Sequence, residues 1–575
     1  MKRFLLFLCG LSLALSLEAQ TFLPEKWKFT TGDDPQWSAP QFDDSHWQEI
    51  DPVISWERQG FPGYDGYAWY RATFNLPASL QTVAHKYGGL VLRLGKVDDV
   101  DQAWFNGKTI GQTGSFPPDY LSAWNQQRQY TVPLDHILWD RPNSIAVRVY
   151  DGSGGGGLYG GPVELALLGF AEKVIITGRL PHADHILLAG DRKEITVAIS
   201  NDLNFPFNGN LKVEVISDFG DTLSVSEHPI RIKQHQEAKI KISLKDLTPG
   251  FYQAKTTLFN REMSKSSRIF FGYEPTQIVS PPNPQPDFEH YWERARKDLA
   301  TVDPEYHLRK IDSLSNIRRT VYLLEMRSLG NVLIRAWYSV PTKSGVYPAV
   351  LSLQGYSTFM IPEIADFGDD IIGLALNIRG HGNSKTDIDP GFPGYLQHRL
   401  ANKEQYIYRG AYMDCVRAID FLFSRDEVDK KRVGVEGGSQ GGALTFATAA
   451  LDNDRIAVSV SQFPFLSDFE DYFKLAPWPA NEFTEWVEKE HNRSWEEVFY
   501  TLSYIDIKNL AHKIKAPMLM GVGLEDDVCP PHINFAAYNQ ISAPKAYIAY
   551  PTSGHSLPES FHDKKMVFLR KYFGL

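Results

Sequence analysis

The chain has 575 residues, 59 basic against 69 acidic, and a formal net charge of −10. That length exceeds what one hydrophobic core can serve, so about three domains are expected, and the acidic balance argues against nucleic acid as a partner. Three cysteines without a Cys/His cluster at zinc spacing suggest neither a disulfide framework nor a structural metal site. The N-terminus reads as an export signal over residues 1–19: Lys2 and Arg3, an almost wholly apolar run from Phe4 to Leu17, then Leu17-Glu18-Ala19 as the cleavage site. The run is too short for a stable bilayer anchor, and Cys9 lacks the small residues that precede a lipoprotein cysteine. No other stretch is long and apolar enough to cross a membrane. The expectation is an exported protein, periplasmic or secreted, without a membrane anchor. Cys415, in a helical run, and Cys529, beside an acidic loop, are expected as buried thiols.

Residues 20–170 are rich in tryptophan, tyrosine and glycine and alternate over short spans, as in Tyr67-Ala68-Trp69-Tyr70-Arg71-Ala72-Thr73-Phe74 and Ser144-Ile145-Ala146-Val147-Arg148-Val149. Alternation broken this often by Gly, Pro and Asn-Gly predicts an all-β sandwich. Trp104 to Gly111 reads as a hairpin turning at Asn106-Gly107. With Phe42-Asp43-Asp44-Ser45-His46-Trp47 and Gly160-Gly161-Pro162-Val163, this segment is similar to the sugar-binding-like jelly roll at the front of family-2 glycoside hydrolases. The glycine-rich stretch 152–161 is not a phosphate loop, since no Gly-Lys-Ser/Thr ending opens a helix. The tryptophans suit either sugar stacking or core packing. Asp98, Asp99 and Asp101 read as a charged loop, with a sugar or cation site as the alternative.

Residues 171–274 keep the strand pattern without the tryptophans: Glu194 to Ile199, Leu211 to Ile216 and Lys239 to Leu244. Their spacing predicts a small immunoglobulin-like β-sandwich serving as a spacer. Residues 275–286, with prolines at 275, 281, 282, 284 and 286, form a stiff linker.

From 287 to 575 the pattern becomes α/β, a doubly wound sheet. The apolar strand Ala349–Leu353 runs into Gly355-Tyr356-Ser357. A second, Arg432–Glu436, runs into Gly437-Gly438-Ser439-Gln440-Gly441 and then a helical run. Strand, sharp turn at serine, helix is the nucleophile elbow of α/β-hydrolases, with glycines where bulky neighbours would clash. Residues 468–513 interrupt the strand rhythm with aromatics including Trp478, Trp486 and Trp495, as a cap above the strand ends does. Met518–Val522 runs into Glu525-Asp526-Asp527, and Ala546–Tyr550 into Thr552-Ser553-Gly554-His555. Serine, acid, histidine is the order the elbow demands: a serine hydroxyl needs a base, and the base a carboxylate to fix its tautomer. Ser439, His555 and Asp526 fill those roles. His555 is preferred to His562 because its loop follows a strand, whereas His562 sits in the final helical run. A tetrahedral intermediate also needs backbone donors. Gln440, next after the nucleophile, supplies one, and the Tyr356 turn the other.

Taken together, residues 285–575 resemble the acetyl xylan esterase and cephalosporin C deacetylase family, the seventh carbohydrate esterase family. The resemblance is carried by Phe288 to Glu293, Gln354-Gly355-Tyr356, Asn377 to Gly382, Tyr412 to Ala418, Gly437 to Gly442, Pro464-Phe465-Leu466, Thr501 to Tyr504, Gly523 to Pro531 and Phe535 to Asn539. It implies the triad Ser439, Asp526 and His555 and the oxyanion donors Tyr356 and Gln440. The family's Arg-Gly-Gln reads Arg379-Gly380-His381 here, and its His-Glu reads His555-Ser556. Arg379 and His381 are expected to support the site from behind the reacting groups, with His381 able to titrate near neutrality. The implied activity is removal of O-acetyl groups from an acetylated carbohydrate such as xylan or its oligosaccharides, through an acetyl-enzyme, with no metal or organic cofactor. Family members tend to form hexamers, which makes a homo-oligomer an expectation that two added N-terminal domains could block. The rivals are a serine peptidase of the same fold and a non-catalytic polysaccharide-binding protein.

Overall fold

The structure, a computed structural model, describes residues 22–575 apart from residues 153, 262, 363–366, 490 and 492, so the signal reading lies outside the described residues. Two compact units emerge. The first comprises residues up to Ile175 with Ser200–Phe207 and Ile232–Gln236. The second comprises Ile176–Ile199, Asn208–Arg231 and Glu237–Leu575.

In the first unit, a six-stranded sheet runs in the order Gln48–Ile50, Trp27–Thr31, Gly66–Asn75, Pro142–Asp151, Val100–Phe105, Lys108–Thr113, and a three-stranded sheet in the order Gln127–Val132, Leu90–Asp98, Gly157–Leu167. The alternating residues supply one core that includes Trp27, Phe29, Trp56, Tyr70, Leu92 and Val147. The Asn106-Gly107 turn joins the predicted hairpin, both residues at positive φ. The acidic cluster is not the charged loop expected. Asp98 ends one strand and Asp101 lies within the next. Asp101 is fully buried, accepting from Arg128 Nε and the Tyr130 hydroxyl, both at 2.7 Å. Alternation placed Asp101 inward, where a buried charge persists only with partners.

Most of the second sandwich belongs to the second unit. Its sheets run Val174–Arg179, Glu194–Asn201, Gln236–Ser243 and Ile186–Leu187, Ser264–Tyr273, Gly250–Phe259, Phe207–Ser217, Thr222–Ile232. The remainder is built on nine strands: β1 (His307–Lys310), β2 (Arg319–Ser328), β3 (Val332–Pro341), β4 (Tyr347–Leu353), β5 (Ile372–Asn377), β6 (Val428–Gly438), β7 (Val458–Gln462), β8 (Met518–Gly523) and β9 (Lys545–Tyr550). Their spatial order is β1-β2-β3-β5-β4-β6-β7-β8-β9. β1, β2, β3 and β5 pair antiparallel, and every pair from β5 through β4 to β9 is parallel. Strands covered on both faces are apolar throughout rather than alternating, which is why β4, β5 and β8 read as unbroken hydrophobic runs. The helix Gln440–Leu451 is buried along its whole length, and its sequence shows no polar face, as all-round burial requires. Parallel register aligns Leu353 with Leu376 and Gly437, Gly438 with Gln462, and Gly523 with Tyr550. The loops that follow these ends therefore gather at one edge of the sheet, where open α/β folds place their sites.

Candidate active site

β6 ends at Gly438 and the next helix begins at Gln440, which leaves Ser439 at the junction with φ 57° and ψ −120°. A side-chain-bearing residue is strained there, and its neighbours hold it in place. Its N–H donates to the Gln462 carbonyl at 2.9 Å, and its carbonyl accepts from the Phe465 N–H at 3.0 Å. The elbow glycines answer to contact. A Cβ on Gly437 would lie 2.6 Å from the Gly441 carbonyl, and one on Gly441 would lie 2.1 Å from the Leu353 oxygen. Ser439 Oγ is 3.9 Å from Cys529 Sγ. Burial pushes the Cys529 thiol up, so it is a neutral neighbour.

Asp526 and His555 come together from the ends of β8 and β9. Oδ2 of Asp526 is 2.9 Å and Oδ1 3.1 Å from His555 Nδ1. Oδ1 also accepts from the backbone N–H groups of Val528 (2.9 Å) and Cys529 (2.8 Å), which locks the carboxylate. Of the three consecutive acids only Asp526 is buried; Glu525 and Asp527 are exposed. A carboxylate accepts, so Nδ1 carries the proton and Nε2 keeps a free lone pair. The ring of Phe463 packs 4.6 Å from the imidazole. No hydrogen bond joins Ser439 to His555 among the described residues; in ligand-free enzymes such contacts are often long and tighten on substrate binding. His562 lies in the helix Glu559–Phe573.

Tyr356 and Gln440 also meet. Neither backbone N–H donates to a described protein acceptor, so both are available to an incoming oxygen. The Tyr408 hydroxyl donates to Gln440 Oε1 at 2.7 Å, and Gln440 Nε2 donates to the Gly355 carbonyl at 3.3 Å and faces His381 Nε2 at 3.2 Å. The Gly355 carbonyl and the Tyr356 N–H belong to one planar peptide, so fixing the first aims the second. In this chain Gln440 is the donor and His381 Nε2 the acceptor, with Nδ1–H directed at the Arg379 carbonyl 3.5 Å away. The expectation that His381 titrates near neutrality is therefore corrected: burial depresses it to about 3, and a proton on Nε2 would face the Gln440 amide hydrogens. Arg379 is held by Asp414, its Nε and Nη2 at 2.9 and 2.7 Å from the two carboxylate oxygens.

Residues 468–513 fold into helices Phe469–Leu475, Ala480–Glu488, Trp495–Ile505 and Ile507–Leu510. Glu482 from the second of these reaches Tyr356: the tyrosine hydroxyl donates to its oxygens at 2.8 and 3.0 Å. Sequence reasoning missed Glu482, Tyr408 and Phe463. Each contacts the site across a long sequence separation, and none lies in a motif of its own. Among the described residues, Cys415 and Cys529 are buried and free.

The arrangement offers a serine hydroxyl on a strained turn, a histidine oriented by a carboxylate and two backbone amides without a described protein acceptor, the kinds of group acyl transfer needs. The family model described as acetyl xylan esterase matches residues 277–572. A second, the beta-galactosidase second all-beta domain, matches residues 32–153. The acetyl esterase Axe7A of Xylanibacter ruminicola is 29% identical over 407 residues, which cover 68% of this chain and 89% of that protein. Among solved structures, the acetyl xylan esterase from Paenibacillus sp. R4 is 31% identical at a TM-score of 0.49, covering 52% of this chain and 98% of its own. Acetyl xylan esterase 1 from Thermoanaerobacterium sp. JW/SL YS485 is 33% identical at 0.48, covering 51% and 96%. Because the first match spans more than half of the chain and takes in every residue gathered at this sheet edge, the chain belongs to the acetyl xylan esterase family and is a serine carboxylic-ester hydrolase.

Proposed function

We propose that the protein removes O-acetyl groups from acetylated xylan or its oligosaccharides, with Ser439 as nucleophile, His555 as general base and acid, Asp526 orienting His555, and the Tyr356 and Gln440 amides binding the oxyanion. Ser439 Oγ attacks the acetyl carbonyl while its proton passes to His555 Nε2. The negative charge that develops on the carbonyl oxygen is met by the two amides. The tetrahedral intermediate collapses, the C–O bond to the sugar breaks, and His555 returns its proton to the sugar oxygen. Water, deprotonated by His555, then attacks the acetyl-serine and releases acetate. Asp526 favours the imidazolium in both halves.

The observation that carries this reading is the Asp526–His555 pair at 2.9 Å together with a strained serine at the strand-helix junction. The substrate class rests on the family. An exported site of action rests on the sequence of residues 1–19, and among the described residues no helix is long and apolar enough to cross a membrane. A screen of acetate release from acetylated xylan, mannan, pectin and small acetylated sugars, run beside peptide substrates, tests it. Acetate release with xylan-derived esters preferred is expected. Peptide cleavage without acetate release from any carbohydrate would refute it.

A further inference from the structure

Tyr356 contributes its backbone N–H to the site, yet its side chain points into a second, unrelated set of contacts. Its ring packs against Phe392 at 5.0 Å, Trp478 at 6.1 Å and Tyr395 at 6.3 Å. Its hydroxyl ends on both oxygens of Glu482. Glu482 is only 3% exposed, and its backbone carbonyl accepts from Gln397 Nε2 at 2.7 Å. Burial and the adjacent carboxylate push the Tyr356 hydroxyl up, so it remains a donor. The carboxylate belongs to the helix Ala480–Glu488, inside the segment that interrupts the strand rhythm. A buried acid costs free energy unless its oxygens find partners, and here the Tyr356 hydroxyl and the Gly394 backbone N–H supply them.

We propose that Glu482 is a positioning residue for ester hydrolysis: by accepting the Tyr356 hydroxyl it fixes the side-chain end of Tyr356, and with Gln440 holding the Gly355 carbonyl it keeps the Tyr356 N–H aimed at the oxyanion. This rests on the assignment of that amide as an oxyanion donor. The insertion is then part of the catalytic geometry. Oxyanion donors act by pre-organisation, and loss of a whole donor costs about 10²–10³ in kcat. Loosening one is a smaller effect that falls on the transition state, so kcat should fall with KM little changed.

The test is steady-state hydrolysis of p-nitrophenyl acetate by the full chain and its Glu482→Ala, Glu482→Gln, Tyr356→Phe and Tyr356→Phe/Glu482→Ala variants, each with its melting temperature. Glu482→Ala is expected to lower kcat about 10- to 100-fold. Glu482→Gln should retain most of the activity, because its carboxamide oxygen still accepts the hydroxyl. Tyr356→Phe should match Glu482→Ala, and the double variant should be no worse than either. Wild-type kcat in Tyr356→Phe, or losses that multiply in the double variant, would overturn the proposal. Should Glu482→Ala fail to fold, Tyr356→Phe, which keeps the ring packing, carries the expectation alone. A Ser439→Ala control separates the two readings: full activity there removes the site assignment itself. An inactive Ser439→Ala beside a fully active Tyr356→Phe removes only the role of Glu482.

Discussion

Burial separates the three consecutive acids: Asp526 is enclosed and bonded to two backbone amides and His555, while Glu525 and Asp527 face solvent. Asp526→Asn should therefore lower kcat on the order of 10³–10⁴-fold, because the carboxamide no longer holds the productive tautomer. Glu525→Gln and Asp527→Asn should stay within a few-fold of wild type. Rate measurements on the three variants check this, and a severe loss in Asp527→Asn would move the acid by one position. His381 gives a pH signature. Its folded pKa is depressed to about 3 by burial, below the ordinary histidine value near 6.5. Between those values the unfolded chain binds a proton that the folded chain refuses, so stability rises with pH across the window and is lost as pH falls through it. His381→Gln removes that titration. Urea midpoints measured from pH 4 to 7 should fall less steeply with acid in the variant, and parallel profiles would contradict the buried neutral imidazole.

At the scale of elements, the acid and histidine loops are held together by a close approach at the end of β8. A Cβ on Gly523 would lie 2.4 Å from both the Ser553 and Gly554 carbonyl oxygens, and the Glu525 N–H donates to the Ser553 carbonyl at 2.9 Å. Gly523→Ala should force the loops apart, with a loss of about 1–3 kcal/mol in stability and a fall in kcat beyond that of Glu525→Gln. Denaturant unfolding and kinetics on the same preparation test both. The elbow and the loops bearing Tyr356 and Asp526 were legible in the sequence because they follow apolar runs that mark parallel strands covered on both faces, and the His555 loop because it follows the acid in the order the elbow demands, although β9 is a partly exposed edge strand. Glu482 and Tyr408 were not legible. Their partners, Tyr356 and Gln440, lie 126 and 32 residues away, and local pattern carries no information about such pairing. Asp101 was misread for a related reason: with Arg128 and Tyr130 unseen, a cluster of aspartates looks like a solvated loop.

On the scale of the molecule, half of the first unit's eight tryptophans are core residues. Trp27, Trp47, Trp56 and Trp69 are buried, and Trp37, Trp104, Trp124 and Trp139 are partly covered. The second sandwich shares a core with the hydrolase: Phe251 packs 5.5 Å from Phe535, and His532 Nδ1 lies 2.8 Å from Asp218 Oδ2. A truncated chain beginning at Pro286 would uncover Phe535, buried here against Phe251, and exposed apolar surface of that kind promotes aggregation. It should melt several degrees lower and lose activity on a small acetyl ester and on polymer together. An unchanged melting temperature with selective loss on polymer would instead assign carbohydrate binding to the N-terminal domains.

The most direct measurement is acetate release from acetylated xylan by the wild-type chain and by Ser439→Ala, with circular dichroism and melting temperature recorded on both. Removing one hydroxyl from a residue fixed by backbone contacts leaves the packing intact, so the variant should fold and melt as the wild type does. Wild type should release acetate and Ser439→Ala nearly none, since losing the nucleophile leaves only the weak residual catalysis of the oxyanion hole and binding. Release by a folded Ser439→Ala at a rate near that of wild type would contradict an acetyl-enzyme formed on Ser439.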